Sequence, residues 1–217
     1  PYIGAYYGGE IKGRIHDIPN PVAPSFFRLT RKPERGRYLF AGRVSRGKGV
    51  LDLVKAMARN PYRNGTLVLA GATPDPEYAR LVRATADSLG LAAQLEFTGL
   101  LGESALLAEF ARAEALILPS YQETAPMVVL QAMAAGLAVV ATRVGGVPFQ
   151  GQDDVTGLLF EPGDDAALAH ILERLHDEPA LAVRLGAAAR KLAVVRYQAA
   201  SVARATRTVY EDILGQR

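Results

Sequence analysis

Residues 114–146 read EALILPSYQETAPMVVLQAMAAGLAVVATRVGG. Ala115 to Leu118 are apolar in a row and run into Pro119-Ser120, the pattern of a short strand buried on both faces and stopped by a residue that cannot continue a ladder. A polar loop follows. Pro126 suits a first helical position, because its ring presets φ and its missing N–H is not needed there, which leaves Thr124 or Ala125 as the cap. From Met127 to Ala135 apolar residues lie all round the segment, so the helix is expected to be buried and mostly shielded from water. Gly136 ends it, and LAVVAT is the next buried strand. Strand, loop, helix and strand in this order put the loop at the carboxyl edge of a parallel sheet, where open α/β folds bind ligands. Glu123 is the one acid in that loop, and Gln131 lies eight residues on, inside the helix.

These residues carry a resemblance. The stretch is similar to the retaining glycosyltransferases of the GT-B fold (group 1, family 4 type), whose nucleotide-sugar domain reads close to PSxxEGFGLVxLEAMAxGxPVVAT followed by GG. Pro119, Ser120, Glu123, Leu130, Ala132, Met133, Ala134, Gly136, Val139, Val140, Ala141, Thr142, Gly145 and Gly146 are in register with it. Gln131 replaces the second Glu of the motif. Thr124, Ala125 and Pro126 replace a glycine-containing turn, so one backbone amide present in many relatives is absent. Phe149 and Gln150 stand where the family has an acidic residue.

Outward toward the amino end, GRVSRGKG (Gly42 to Gly49) lies between an apolar strand pattern, RYLFAGRV, and a helix from about Gly49 to Arg59. A backbone-amide nest and a helix dipole would hold phosphate at such a place. The spacing nearly spells a P-loop. Gly49, however, stands where the magnesium-binding Ser or Thr belongs, and no later strand ends in a Walker-B Asp. Nor does a Gly-x-Gly-x-x-Gly follow a strand, so dinucleotide binding is poorly supported. The resembling family shows Gly-Arg, four residues and Lys-Gly here, which Gly42, Arg43, Lys48 and Gly49 match.

TLVLAG, a helix from about Pro76 to Leu89, QLEFTG and a helix from Glu103 to Ala113 complete an alternation of short strands and helices. That alternation indicates βαβ units and a doubly wound parallel sheet, a Rossmann-like α/β fold. After Gly146, TGLLFEPGD reads as a short strand and turn. Asp164 or Asp165 then opens a helical tail with breaks near Pro179 and Tyr197. Residues 1–35, rich in Gly, Pro and Tyr, contain IPNPV and read as an extended segment leading into the domain. By the resemblance this is the linker from a missing amino-terminal, acceptor-binding domain, and residues 36–217 are the C-terminal, donor-binding half.

Composition narrows the function classes. The chain has 217 residues, 49% hydrophobic and 22% charged, within the range of globular proteins with a buried core. A net charge of +3 suits an anionic ligand and is too mild, without a basic run, to imply nucleic acid. Zero cysteines exclude a disulfide frame, a thiolate nucleophile and cysteine metal sites. His16, His170 and His176 form no ligand cluster in sequence, and no apolar run is long enough to span a bilayer.

The resemblance implies a nucleoside-diphosphate sugar as partner, a cytoplasmic location that can be peripheral at the membrane, no cofactor and no essential metal. Arg43 and Lys48 would contact the diphosphate, where fixed cations favour the leaving group as its charge develops. Glu123 would bind donor-sugar hydroxyls and support the charge at the anomeric carbon; the family has no agreed nucleophile. Gly42, Thr124, Met127 and Val128 would line the donor site. Gly99 to Leu101 resemble the turn whose backbone reads the base. Gln131 has one acceptor oxygen and two donors where a carboxylate would accept two ribose protons. From the residues alone, Arg43 and Lys48 also fit solvated helix-edge cations, Glu123 a loop acid without a partner, Gln131 a core amide, and Gly99 to Leu101 a plain β-to-α turn. Two other functions stay open: a non-catalytic donor-binding scaffold, suggested by Gln131 and the altered turn, and a P-loop hydrolase, disfavoured by Gly49.

Overall fold

A computed structural model describes residues 4–5, 8–10, 14–61 and 65–215. Six strands form one parallel sheet: β1 Arg37–Ala41, β2 Thr66–Ala70, β3 Leu95–Gly99, β4 Ala115–Leu118, β5 Ala138–Thr142 and β6 Leu158–Phe160. Their order is β3-β2-β1-β4-β5-β6. The chain therefore winds outward from β1 to one edge, returns to pair β4 against β1, and winds outward to the other edge. β1, β4 and β5 are buried along their whole length, which is why they read as unbroken apolar runs rather than alternating ones.

Helices cover both faces. After a single helical turn, α1 Pro24–Phe27, come α2 Val50–Arg59, α3 Pro76–Ser88, α4 Glu103–Arg112, α5 Met127–Ala135, α6 Asp165–Asp177, α7 Pro179–Arg196 and α8 Ala199–Leu214. On one face α2 packs against α3 and α6; on the other α5 packs against α1, α4 and α7. Two of the helix starts have a side-chain cap. Asp75 caps α3 by accepting from the amides of Glu77 and Tyr78, and Asp164 caps α6 by accepting from Ala167. The tail breaks at Glu178-Pro179 and Tyr197-Gln198, as the sequence predicts.

Two local expectations are corrected. Pro126 is the cap of α5, not its first helical residue: its ψ is 115°, and helical bonding begins when Val129 N donates to its carbonyl. Neither Thr124 nor Ala125 caps the helix, because this part of the loop is held elsewhere, with Gly146 N donating to Glu123 O at 3.3 Å. The extended reading of residues 1–35 also gives way at α1. The prolines of IPNPV forbid helix only as far as the residue before Pro21, and Pro24 sits at a helix start that favours it. Parts of that segment, residues 1–3, 6–7 and 11–13, lie outside the described residues. Its later part is anchored: Val22 N donates to Tyr197 O at 2.9 Å, and the Phe26 ring meets Phe110 edge-on at 5.1 Å.

Candidate functional site

Because β1 and β4 are neighbours, the loops that follow them meet at the carboxyl edge. The phosphate-type loop after β1 makes one 3-10 turn, Arg46–Lys48, and hands over to α2 through Gly49 at φ 64°. A side chain at 49 would suffer twice, from the left-handed backbone and from overlap with the Pro119 carbonyl oxygen. Gly47 O accepts from Tyr121 N at 3.0 Å, which ties the two loops backbone to backbone. Tyr121 also donates its hydroxyl to Asp52 Oδ2 at 2.6 Å, and that bond, with some burial, pushes the phenol up to about 12.

Glu123 lies where these loops join. Its Oε1 accepts from Lys48 Nζ at 2.6 Å and from Ser120 Oγ at 2.7 Å, and its side chain is only 9% exposed. Glu123 is therefore a partnered, nearly buried carboxylate, not a free loop acid, and Lys48 is not a solvated cation. The Glu123 loop rests on the Gly145-Gly146 turn so closely that a Cβ at either glycine would overlap the carbonyl oxygen of Glu123 or Thr124.

A cleft of about 390 Å³ at the same sheet edge is lined by Gly42, Arg43, Gly71, Leu100, Val128 and Gln131 among others; Lys48 and Glu123 are not among its lining residues. It gathers sequence-predicted residues from β1, β3 and α5 that lie far apart in the chain. Arg43 reaches it from the β1 loop and is exposed. Gly99, at φ 68°, turns the chain so that Leu100 stands 83% exposed at the rim. Gln131 is mostly shielded from water, as expected, and it lines the cleft. With Met127 and Val128 it forms the one face of α5 that is not fully buried, the spacing of three and four residues that shares a helix side.

Thr124 is placed differently. With Ala125 and Gly146 it borders a second cavity, of about 540 Å³, whose other walls include Ile15, Asp17, Phe149 and Tyr197. Gln150 also borders it, donating its amide to Pro126 O at 3.2 Å, while Tyr197 OH donates to Gln150 O at 2.6 Å. The sequence reading missed three parts of the site. Ser120 as a second partner of Glu123 was within reach, a hydroxyl three residues away. Gly71 was signalled by the glycine ending TLVLAG; its Cβ would overlap Gly42 O, so it lets the β1 and β2 loops touch. The Lys48–Glu123 bond had no local signal, because it depends on strand order.

A doubly wound sheet whose cations, carboxylate and cleft collect at the switch point between β1 and β4 defines an α/β domain of the Rossmann-like, ligand-binding class. The family model described as glycosyl transferases group 1 matches residues 23–192, and the chain belongs to that family. The D-inositol 3-phosphate glycosyltransferase of Streptomyces avermitilis is 35% identical over 164 residues, covering 70% of this chain and 35% of that protein. The sucrose-phosphate synthase of Thermosynechococcus elongatus superposes with a TM-score of 0.83 at 28% identity, over 100% of this chain and 57% of that one. HepE of Anabaena, solved in complex with UDP-glucose, shares the fold with a TM-score of 0.74 at 22% identity, over 82% of this chain and 49% of its own. The chain thus spans about a third of the first of these proteins and about half of the other two. Among the described residues no helix is long and apolar enough to cross a membrane.

Proposed function

We propose that this chain binds a nucleoside-diphosphate sugar at the carboxyl edge of its sheet. In the whole enzyme it would support retaining transfer of the sugar to an acceptor held by a preceding domain. The observation that carries this reading is the convergence of Arg43, Leu100, Leu101 and Gln131 on one cleft of about 390 Å³, with the Lys48–Glu123 pair joining the loops that follow β1 and β4. That volume lies within the usual range for small-molecule sites, roughly 300 to 1,000 Å³. The complex of HepE with UDP-glucose supports the ligand class.

In this reading the base lies against Leu100 and the backbone of its turn, and the ribose near Gln131. The diphosphate takes Arg43, Lys48 and the amino end of α5, whose free amides and dipole favour an anion. As the glycosidic bond lengthens, negative charge moves onto the β-phosphate and positive charge onto the anomeric carbon. Arg43 and Lys48 stabilise the first, and Glu123, bonded to Lys48, faces the second. Gly49 offers no hydroxyl for the magnesium of a P-loop hydrolase, which keeps that alternative behind.

A thermal-shift panel of UDP, GDP, ADP and their glucose or mannose conjugates tests the reading, since a ligand that binds only the folded state raises Tm. One base series is expected to raise Tm, and a flat panel would remove the donor-site assignment. The chain alone is expected to bind without transferring sugar, because transfer needs an acceptor within about 3.5 Å of the anomeric carbon. Measurable transfer by residues 1–217 would overturn the division of labour between domains.

A further inference from the structure

The bond between Lys48 and Glu123 occupies a cation that the proposed donor site needs for phosphate. Glu123 uses one oxygen, Oε1, for both Lys48 and Ser120. If Lys48 turns to a phosphate, Glu123 keeps one hydroxyl partner in a place where its side chain is 9% exposed. A carboxylate so shielded from water is costly to leave under-partnered. The two nucleotides of a transfer reaction differ on this point. A sugar-bearing donor brings hydroxyls that can donate to Glu123 as Lys48 turns away. The nucleoside diphosphate left after transfer has an extra phosphate charge to attract Lys48 but no sugar hydroxyl to offer Glu123.

We propose, resting on the donor-site reading above, that the Lys48–Glu123 pair discriminates donor from spent nucleotide. Glu123 competes with phosphate for Lys48, a bound sugar relieves that competition, and its departure restores it, so that the pair favours release of the nucleoside diphosphate. Glu123 thereby acts on the nucleotide's residence as well as on the sugar.

The experiment compares calorimetric affinities of the 217-residue chain and its variants for UDP and UDP-glucose, with the GDP-mannose and ADP-glucose pairs in parallel. Glu123→Gln keeps the side chain's shape and removes its charge. The expected result is about tenfold tighter binding of the bare diphosphate with unchanged or weaker binding of its sugar conjugate, the size of one charge-assisted bond gained. In a Lys48→Met background the same change is expected to leave diphosphate affinity unmoved. Ser120→Ala, which takes away the other partner and makes Glu123 depend more on Lys48, is expected to weaken the bare diphosphate and does not rely on Glu123→Gln folding. Diphosphate and sugar conjugate moving together in Glu123→Gln would overturn the proposal. So would a gain that persists with Lys48→Met, which marks a general field effect. Wild-type chain that binds none of the nucleotides would instead overturn the donor-site reading on which the proposal stands.

Discussion

Arg43 makes no hydrogen bond or ion pair among the described residues and opens directly on the cleft, whereas Lys48 gives up a bond to Glu123 in order to reach a phosphate. The two cations should therefore differ on truncation. Arg43→Ala is expected to cost about 1.5 to 3 kcal/mol of diphosphate affinity, the worth of a hydrogen bond to a charged group, with little change for the nucleoside. Lys48→Ala should cost less, because the bond lost to phosphate was an exchanged one; titration calorimetry with UDP and uridine separates the cases. Gln131 lines the cleft from α5 and is mostly shielded from water. Gln131→Glu is expected to tighten a ribose-containing donor by about 1 kcal/mol. A carboxylate at so shielded a position is expected to lower the urea midpoint of the empty protein. An unchanged affinity would move the ribose away from residue 131.

At the scale of the element, the loops rather than the helices set the geometry. Gly49 links the phosphate-type turn to α2 and leaves no room for a Cβ against Pro119 O. Gly49→Ala is expected to lower stability by about 1 to 3 kcal/mol, the cost of a side chain forced into a left-handed conformation plus the displaced contact, read as a lower urea midpoint at unchanged slope. The sequence made these elements legible where a local rule acts alone: apolar runs for β1, β4 and β5, Asp164 or Asp165 as the opening of α6, Pro179 as a break. It was misleading at Pro126, where the favoured helix position was overridden by the contact of the Glu123 loop with Gly146, more than twenty residues on. The same division holds for the site. Arg43, Lys48, Glu123 and Gln131 could be singled out by type and spacing. That Lys48 bonds Glu123, or that Thr124 turns to the other cavity, follows from which strands are neighbours, and no local window contains that information.

The whole molecule is pinned at the opposite, amino edge of the sheet by a charge cluster. Arg37 opens β1 almost fully buried and donates to Glu96 of β3 and Glu109 of α4, while Arg112 of α4 pairs with Glu34. Burial opposes the charge on Arg37, but its two carboxylate partners outweigh burial and hold it protonated. The bond from Arg37 in turn keeps Glu96 below the usual carboxylate range. The sign follows: the unfolded chain takes up the proton first, so the contribution is complete above the ordinary Glu value of about 4.3 and is lost as pH falls through the lowered one. Urea midpoints are expected to drop below about pH 4, and to drop less steeply in Arg37→Met, which has no bond to lose. The order β3-β2-β1-β4-β5-β6 has a further effect, on how the chain reaches this state. The cleft takes one wall from the β1–β3 half and the other from α5, so neither half alone has a complete cavity. Ligand affinity is thus a report of assembly: in a chain severed in the exposed turn at Leu100–Gly102, nucleotide would act as glue between two fragments, and its binding would mark the moment they find each other.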